Sequence, residues 1–248
     1  MEQAKIRAAG DRALMVEFEN VISIPVSQKV RSLKFQLEQQ PIDGVLETVP
    51  TYRSLLVQYD PAVVRYGELA KRIEDRLGAL SEISLPPAVI TEIPVCYEGE
   101  YAMDLDEIAG LEHKTTDEVI RIHSQSDYYV YMLGFAPGHP YCARFENPFS
   151  FKRRESPRVK INGGSIVVQL ELSDIIPFDQ PCGWNIIGTT PVLPCDFRKE
   201  NPFVLKAGQW IRHVPVTAQE FGRIKAEVEQ GTYRFVTRDY EGTGRDHV

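Results

Sequence analysis

The pattern of apolar and polar positions changes character near residue 86. Before it, strand-like and helix-like periods take turns. Ala13 to Phe18 reads as a strand. Val26, Val30, Leu33 and Leu37 recur at helical spacing, with Ser23 and Pro25 placed as cap and early-helix proline and Pro41 as the stop. Val45 to Val49 and Ser54 to Tyr59 are two β-like runs split by Pro50, and Leu69, Ile73 and Leu77 mark a second amphipathic helix. The order, roughly ββαββα, predicts a small α/β sandwich with helices on one face of an antiparallel sheet.

Leu85-Pro86-Pro87 reads as a linker, because two prolines interrupt both periods. It divides the chain into an N-terminal domain, 1–85, a second domain, 88–238, and a tail, 239–248. In the second domain Ile93 to Tyr97 is a short strand. Thr115-x-x-Glu118 is a capping box that opens a helix through Val119, Ile120 and His123. Tyr128 to Phe135 is a strand rich in aromatic and β-branched residues. Residues 137–215 carry short apolar runs punctuated by Gly and Pro, the signature of a β-barrel or sandwich. Thr217-x-x-Glu220 is a second capping box, leading into Phe221, Ile224 and Val228 with Gly231 as the residue past the end. Val236 sits in a closing strand. The fold class is therefore α+β.

Composition narrows the function classes. The chain has 248 residues, 43% hydrophobic and 25% charged, with net charge −7, which excludes disorder as the main state. The acidic balance argues against a broad nucleic-acid surface. The four cysteines, Cys96, Cys142, Cys182 and Cys195, form no C-x-x-C pair and are too sparse for a disulfide scaffold. They read as reduced thiols of a cytoplasmic protein. The first residues lack an apolar signal region and no apolar run reaches a membrane span, so neither is expected. Gly242 to Val248 reads as a solvated tail.

No P-loop, dinucleotide fingerprint, H-E-x-x-H or G-x-S-x-G elbow occurs. Three segments can carry chemistry instead. Gly134-Phe135-Ala136-Pro137-Gly138-His139-Pro140-Tyr141 follows a strand with two Gly and two Pro among its eight residues, a rigid loop able to present backbone N–H groups to an anion. Residues 152–160 hold five cations and one anion, among them Arg153, Arg154 and Arg158, whose forks match carboxylate or phosphate. Pro181 to Pro191 places Trp184 after Gly183, where it either floors a pocket or packs a core. His123 is a candidate proton-transfer group on its helix. His139 and Cys142 are three apart, but two ligands make no metal site.

These residues carry a resemblance. Gly10-Asp11-Arg12-Ala13-Leu14, Val49-Pro50-Thr51-Tyr52-Arg53-Ser54-Leu55-Leu56-Val57 and Ile93-Pro94-Val95 resemble, in order, one family. So do His123-Ser124, Tyr131-Met132-Leu133-Gly134-Phe135-Ala136-Pro137-Gly138, Arg153-Arg154, Pro157-Arg158, Gly164-Ser165, Gly183-Trp184 and Gly188 with Thr190-Pro191. The family is that of allophanate hydrolase subunit 1, which includes the B component of 5-oxoprolinase and the kinase inhibitor KipI. The resemblance implies an N-terminal α+β domain and a cyclophilin-like C-terminal β-barrel. It implies partners: a subunit 2, resembling the C component of 5-oxoprolinase, and a further protein resembling its A component. It implies an ATP-dependent opening of a lactam or amide such as 5-oxoproline, with ATP used by the complex at a partner and no cofactor held here. The alternatives it allows are a histidine-kinase inhibitor and a biotin-dependent carboxyltransferase subunit.

On the first reading His123 transfers protons, Arg154 and Arg158 hold an anionic group, and amides near Gly138 hold an oxyanion. Gly134, Phe135, Pro137, Gly138, His139, Tyr141, Arg153, Gly164, Ser165, Gly183 and Trp184 are expected to bind substrate; no metal ligands are expected. The chain departs from the family pattern at His139, where Phe is usual, at Cys142, where Leu is usual, and at Cys182, where Gly is usual. It also departs within Gly164 to Pro177, where a Gly-Gly-Gln-Thr piece is lost at Leu170-Glu171-Leu172-Ser173.

Overall fold

The computed structural model describes residues 4–143 and 149–241. The chain divides into one compact unit reaching Pro87 and a second spanning Ala88–Glu241.

The first unit runs β1 (Lys5–Ala8), β2 (Ala13–Glu17), α1 (Ile24–Gln39), β3 (Val45–Pro50), β4 (Ser54–Tyr59), α2 (Tyr66–Leu77). Its antiparallel sheet has the order β1-β2-β4-β3. Period-two alternation puts Leu14, Val16, Leu55, Val57 and Tyr59 on one face. There they meet Val30, Leu33 and Leu37 of α1 and Leu69 and Ile73 of α2. Each fully buried Leu or Ile here contributes roughly 1.5–3 kcal/mol. The Ser23 hydroxyl caps α1 by accepting from Val26 N, and Pro25 occupies its first turn. The expected sandwich is present.

The second unit holds β5 (Val89–Cys96), α3 (Leu105–Leu111), α4 (Thr116–Ser124), β6 (Asp127–Leu133), β7 (Pro140–Ala143), β8 (Arg158–Ile161), β9 (Ser165–Gln169) and β10 (Leu172–Ile175). It continues with β11 (Gln180–Cys182), β12 (Asn185–Thr189), β13 (Trp210–Val216), α5 (Ala218–Glu229) and β14 (Thr237–Asp239). Seven strands pair in the order β12-β9-β10-β7-β6-β13-β5, and β12 returns to β5 through Thr189 and Cys96 to close a barrel. β13 runs parallel to β5, and β14 adds to the other edge of β5 near its start. β8 and β11 form a separate two-stranded ribbon.

The barrel fills with inward residues such as Ile93, Val95, Val130, Ile166, Val168, Ile175, Ile187 and Ile211. A smaller outer core of Ile161, Val167, Ile176 and Ile186 lies between the wall and the ribbon. Gly164 makes the tightest approach, at φ +86°, where a Cβ would stand 2.4 Å from the Thr190 carbonyl oxygen. Both capping boxes form, Thr115 with Glu118 and Thr217 with Glu220, and Gly231 follows α5 at φ +72°.

Several boundaries differ from expectation. β5 begins four residues before Ile93, and α3 and a short 3₁₀ turn over Gly99–Ala102 were not anticipated. The barrel unit also runs past residue 238: Asp239 pairs with Val89, and the Tyr240 ring stacks on Trp210 at 4.2 Å. The expected tail from Gly242 onward lies outside the described residues. No described helix is long and apolar enough to cross a membrane.

Candidate functional site

The Gly-Pro loop joins β6 to β7 and folds on itself. Gly134 N donates to His139 O at 3.1 Å, and His139 N donates to Ala136 O at 3.1 Å. Ala136 N donates to Gly134 O at 2.7 Å, closing a three-residue turn centred on Phe135 at φ +64°. This is the rare, strained form of the γ-turn, in backbone space that a residue with a Cβ seldom occupies. Phe135 is 78% exposed. Gly138 has φ +76°, and a Cβ there would stand 2.5 Å from the Cys195 Cβ, so the loop lies directly on the 195–203 segment. Leu133 to Gly138 and Phe203 together line a depression of about 390 Å³, within the range of small-ligand sites.

Behind the loop stands a buried polar group. The His139 ring has Nε2 3.3 Å from Asp174 Oδ2 and Nδ1 3.5 Å from Gln180 Nε2, an arrangement that suits the neutral ring protonated at Nε2. Asp174 Oδ1 accepts from Cys142 N at 3.1 Å. Burial pushes the Asp174 carboxyl above its ordinary range, and the His139 hydrogen bond pulls it partly back. The rings of Phe135 and Tyr141 lie 5.9 and 5.2 Å from that of His139. The structure thus brings Phe135, Gly138, His139 and Tyr141 together. Asp174 and Gln180 were missed; the visible signal was a carboxylate inside the apolar run ending at Pro177.

The basic segment does not face this depression. Arg158 clasps Asp104 with two bonds, Nη1 to Oδ2 at 2.9 Å and Nη2 to Oδ1 at 2.5 Å. Arg154 Nη1 reaches Glu107 at 2.9 Å and Asp104 at 3.3 Å. Asp104 is buried, accepts from Ile186 N at 2.7 Å and donates from its own N to Ile186 O at 3.0 Å. The expectation that Arg154 and Arg158 hold a substrate anion is corrected: their anion is the protein's own carboxylate, binding the 152–158 loop to α3 and β12. Arg153 is exposed and lays its guanidinium against Gly183, where a Cβ would meet Nη2 at 2.8 Å.

His123 is also corrected. Its ring is fully buried inside the barrel, with Nδ1 2.7 Å from the Tyr97 hydroxyl and Nε2 2.8 Å from the Ser173 hydroxyl. It stacks on His213 at 4.3 Å, and burial, then His213, push its pKa well below the ordinary value. A ring so enclosed does not exchange protons with a ligand in the depression. Gly164 and Ser165 close a turn, the Ser165 hydroxyl donating to Asn162 O at 2.8 Å, and Trp184 packs on the outer core; none of the three lines the depression. Among the described residues no three His, Cys, Asp or Glu side chains are placed to hold a metal ion.

Residues 4–205 match the family model described as carboxyltransferase domain, subdomain C and D. The chain belongs to this family. It is 33% identical over 233 residues to the B component of 5-oxoprolinase from Bacillus subtilis, covering 90% of this chain and 97% of the relative. It is similar at 34% identity to a conserved uncharacterized protein of Pyrococcus horikoshii, over 88% of this chain and all of that one, with TM-score 0.51. The fold is shared with the K. lactis urea amidolyase, at TM-score 0.77 and 19% identity, where 96% of this chain covers 16% of the longer one. In this chain the barrel carries the loop, the depression and the buried His139–Asp174 pair behind them.

Proposed function

We propose that this chain is the B component of a heteromeric 5-oxoprolinase, which opens the lactam of 5-oxoproline to glutamate at the expense of ATP. The observation that carries the reading is the match to a 5-oxoprolinase B component along 97% of that protein's length. The chemistry fits the geometry. An unstrained lactam resists hydrolysis, and coupling to ATP yields an activated acyl or imidate phosphate whose developing charge needs fixed donors. The loop's internal bonds use the Gly134, Ala136 and His139 amides and leave those of Phe135 and Gly138 outside them. These two are the donors assigned to the oxyanion. Phe135, Pro137 and Phe203 supply the apolar wall.

The chain carries no P-loop, so ATP is assigned to a partner. The partners are a protein like the C component of 5-oxoprolinase and one like its A component. Co-expression of the three, scored as ATP-dependent glutamate release from 5-oxoproline, tests the reading. Release that disappears when this chain is omitted is the expected result. A stable three-protein complex that releases no glutamate, or release that persists without this chain, overturns it.

A further inference from the structure

Phe135 is held in a costly conformation. A non-glycine residue at φ +64° in a γ-turn persists only when its surroundings over-determine it. The folded chain alone gains little burial from that strain, since the residue is 78% open to solvent. What fixes the turn is the last residue of the loop's hydrogen-bonded core. The His139 backbone accepts from Gly134 N and donates to Ala136 O, while its ring is anchored on Asp174 of β10 and on Gln180 of β11. Asp174 in turn fixes Cys142 of β7. The buried His139 and Asp174 side chains together tie the strained turn to β7, β10 and β11, and the His139 and Phe135 rings meet in a T-shaped pair.

We infer that His139, clamped by Asp174 and Gln180, is a positioning residue that presents Phe135 as the aromatic wall against which a small planar lactam or amide is bound. The inference rests on the functional reading above and deepens it. A five-membered lactam is flat, amphipathic and small enough for the 390 Å³ depression, and an aromatic face suits its ring.

The test is a double-mutant cycle in the reconstituted three-protein complex: F135A, H139A and the pair, each assayed for KM and kcat with 5-oxoproline. Each single variant is expected to raise KM about tenfold with kcat within about twofold, the signature of lost ground-state binding. The double variant is expected to match F135A, because His139 acts through Phe135. D174N offers one acceptor oxygen where Asp174 meets two donors, Cys142 N and His139 Nε2–H, so both it and D174L are expected to raise KM as H139A does. Unchanged KM in F135A, or additive effects in the pair, overturn the inference while wild-type turnover keeps the functional reading intact. Hydrogen exchange on this chain adds a readout independent of turnover. H139A is expected to speed exchange at the Ala136 and His139 amides at least tenfold with little change at β9. Unchanged exchange there overturns the clamp even if the complex proves inactive on 5-oxoproline.

Discussion

Ser173 and Asp174 are adjacent in β10, yet they belong to two different polar clusters. Ser173 points into the barrel and meets His123, which joins Tyr97 and stacks on His213. Asp174 points out and meets His139, whose ring also reaches Gln180. Both clusters are buried and both hold perturbed groups. Inside, the solution is neutrality: burial lowers the His213 pKa to about 3. Outside, the solution is compensation: a buried carboxylate keeps donors around both of its oxygens. Only the outer cluster touches a loop that lines a depression. Burial and a shifted pKa thus mark a costly group, and access decides whether it belongs to a site.

The largest expected effect tests whether compensation on the outer face is structural. Asp104 receives Arg158 twice, Arg154 once and Ile186 N once. While Arg154 keeps Glu107, D104A leaves the partly buried Arg158 guanidinium and one buried amide without their acceptor. It is expected to destabilise the barrel by about 3–4 kcal/mol, read from urea unfolding. D104N keeps an acceptor for Ile186 N and is expected to lose about half as much. A loss below about 1 kcal/mol in D104A means that charge pairing on this face is incidental, and the contrast between the two faces weakens.

The inner face is tested by acid. His213 titrates near 3 in the folded chain, and an unfolded histidine near 6.5. Between those values the unfolded chain binds the extra proton. Stability is therefore complete above the upper value and falls as pH drops through the window, by about 1.4 kcal/mol per unit from this group. At pH 4.5 the loss from His213 reaches about 2.7 kcal/mol, and His123, also lowered, adds to it. H213L removes the His213 share, so its stability is expected to fall less steeply between pH 6.5 and 4.5. At pH 7.5 it is expected to be neutral or slightly stabilising, because both ring nitrogens of His213 are buried without a partner. Equal slopes in variant and wild type refute the account of the interior.

These contrasts explain how far the sequence could be read. The ββαββα order and both capping boxes were legible because each rests on a local signal, a period or a cap; the Gly–Pro rhythm left barrel and sandwich open, and only the family resemblance chose the barrel. The Gly134–Tyr141 loop was legible as a rigid turn for the same reason. What failed was partner identity. Arg154 and Arg158 advertised an anion, but Asp104 stands 50 and 54 residues earlier, in front of a seven-residue helix too short to announce itself. His123 lies on a well-marked helix, and only its position on the inner side of a closed wall removes it from chemistry. His139 was singled out, but the carboxylate that positions it lies 35 residues on, on a strand whose alternation assigns Ser173 inward and Asp174 outward only once its register is known.

The smallest expected effect asks whether the two faces communicate. α4 delivers His123 to the interior, and its exposed N-terminus is held by the Thr115–Glu118 box, with Thr115 Oγ1 accepting from Glu118 N at 3.2 Å. T115A removes that acceptor and is expected to cost about 1 kcal/mol of stability. The interior cluster reaches the depression only through the wall itself, where Ser173 and Asp174 share a backbone and turn their side chains to opposite faces. Loosening α4 therefore leaves the Phe135 turn in place, and the KM for 5-oxoproline in the reconstituted complex is expected to stay within about twofold of wild type. A KM raised tenfold by T115A would show that His123 is coupled to the loop after all, and that the wall joins the two clusters instead of separating them.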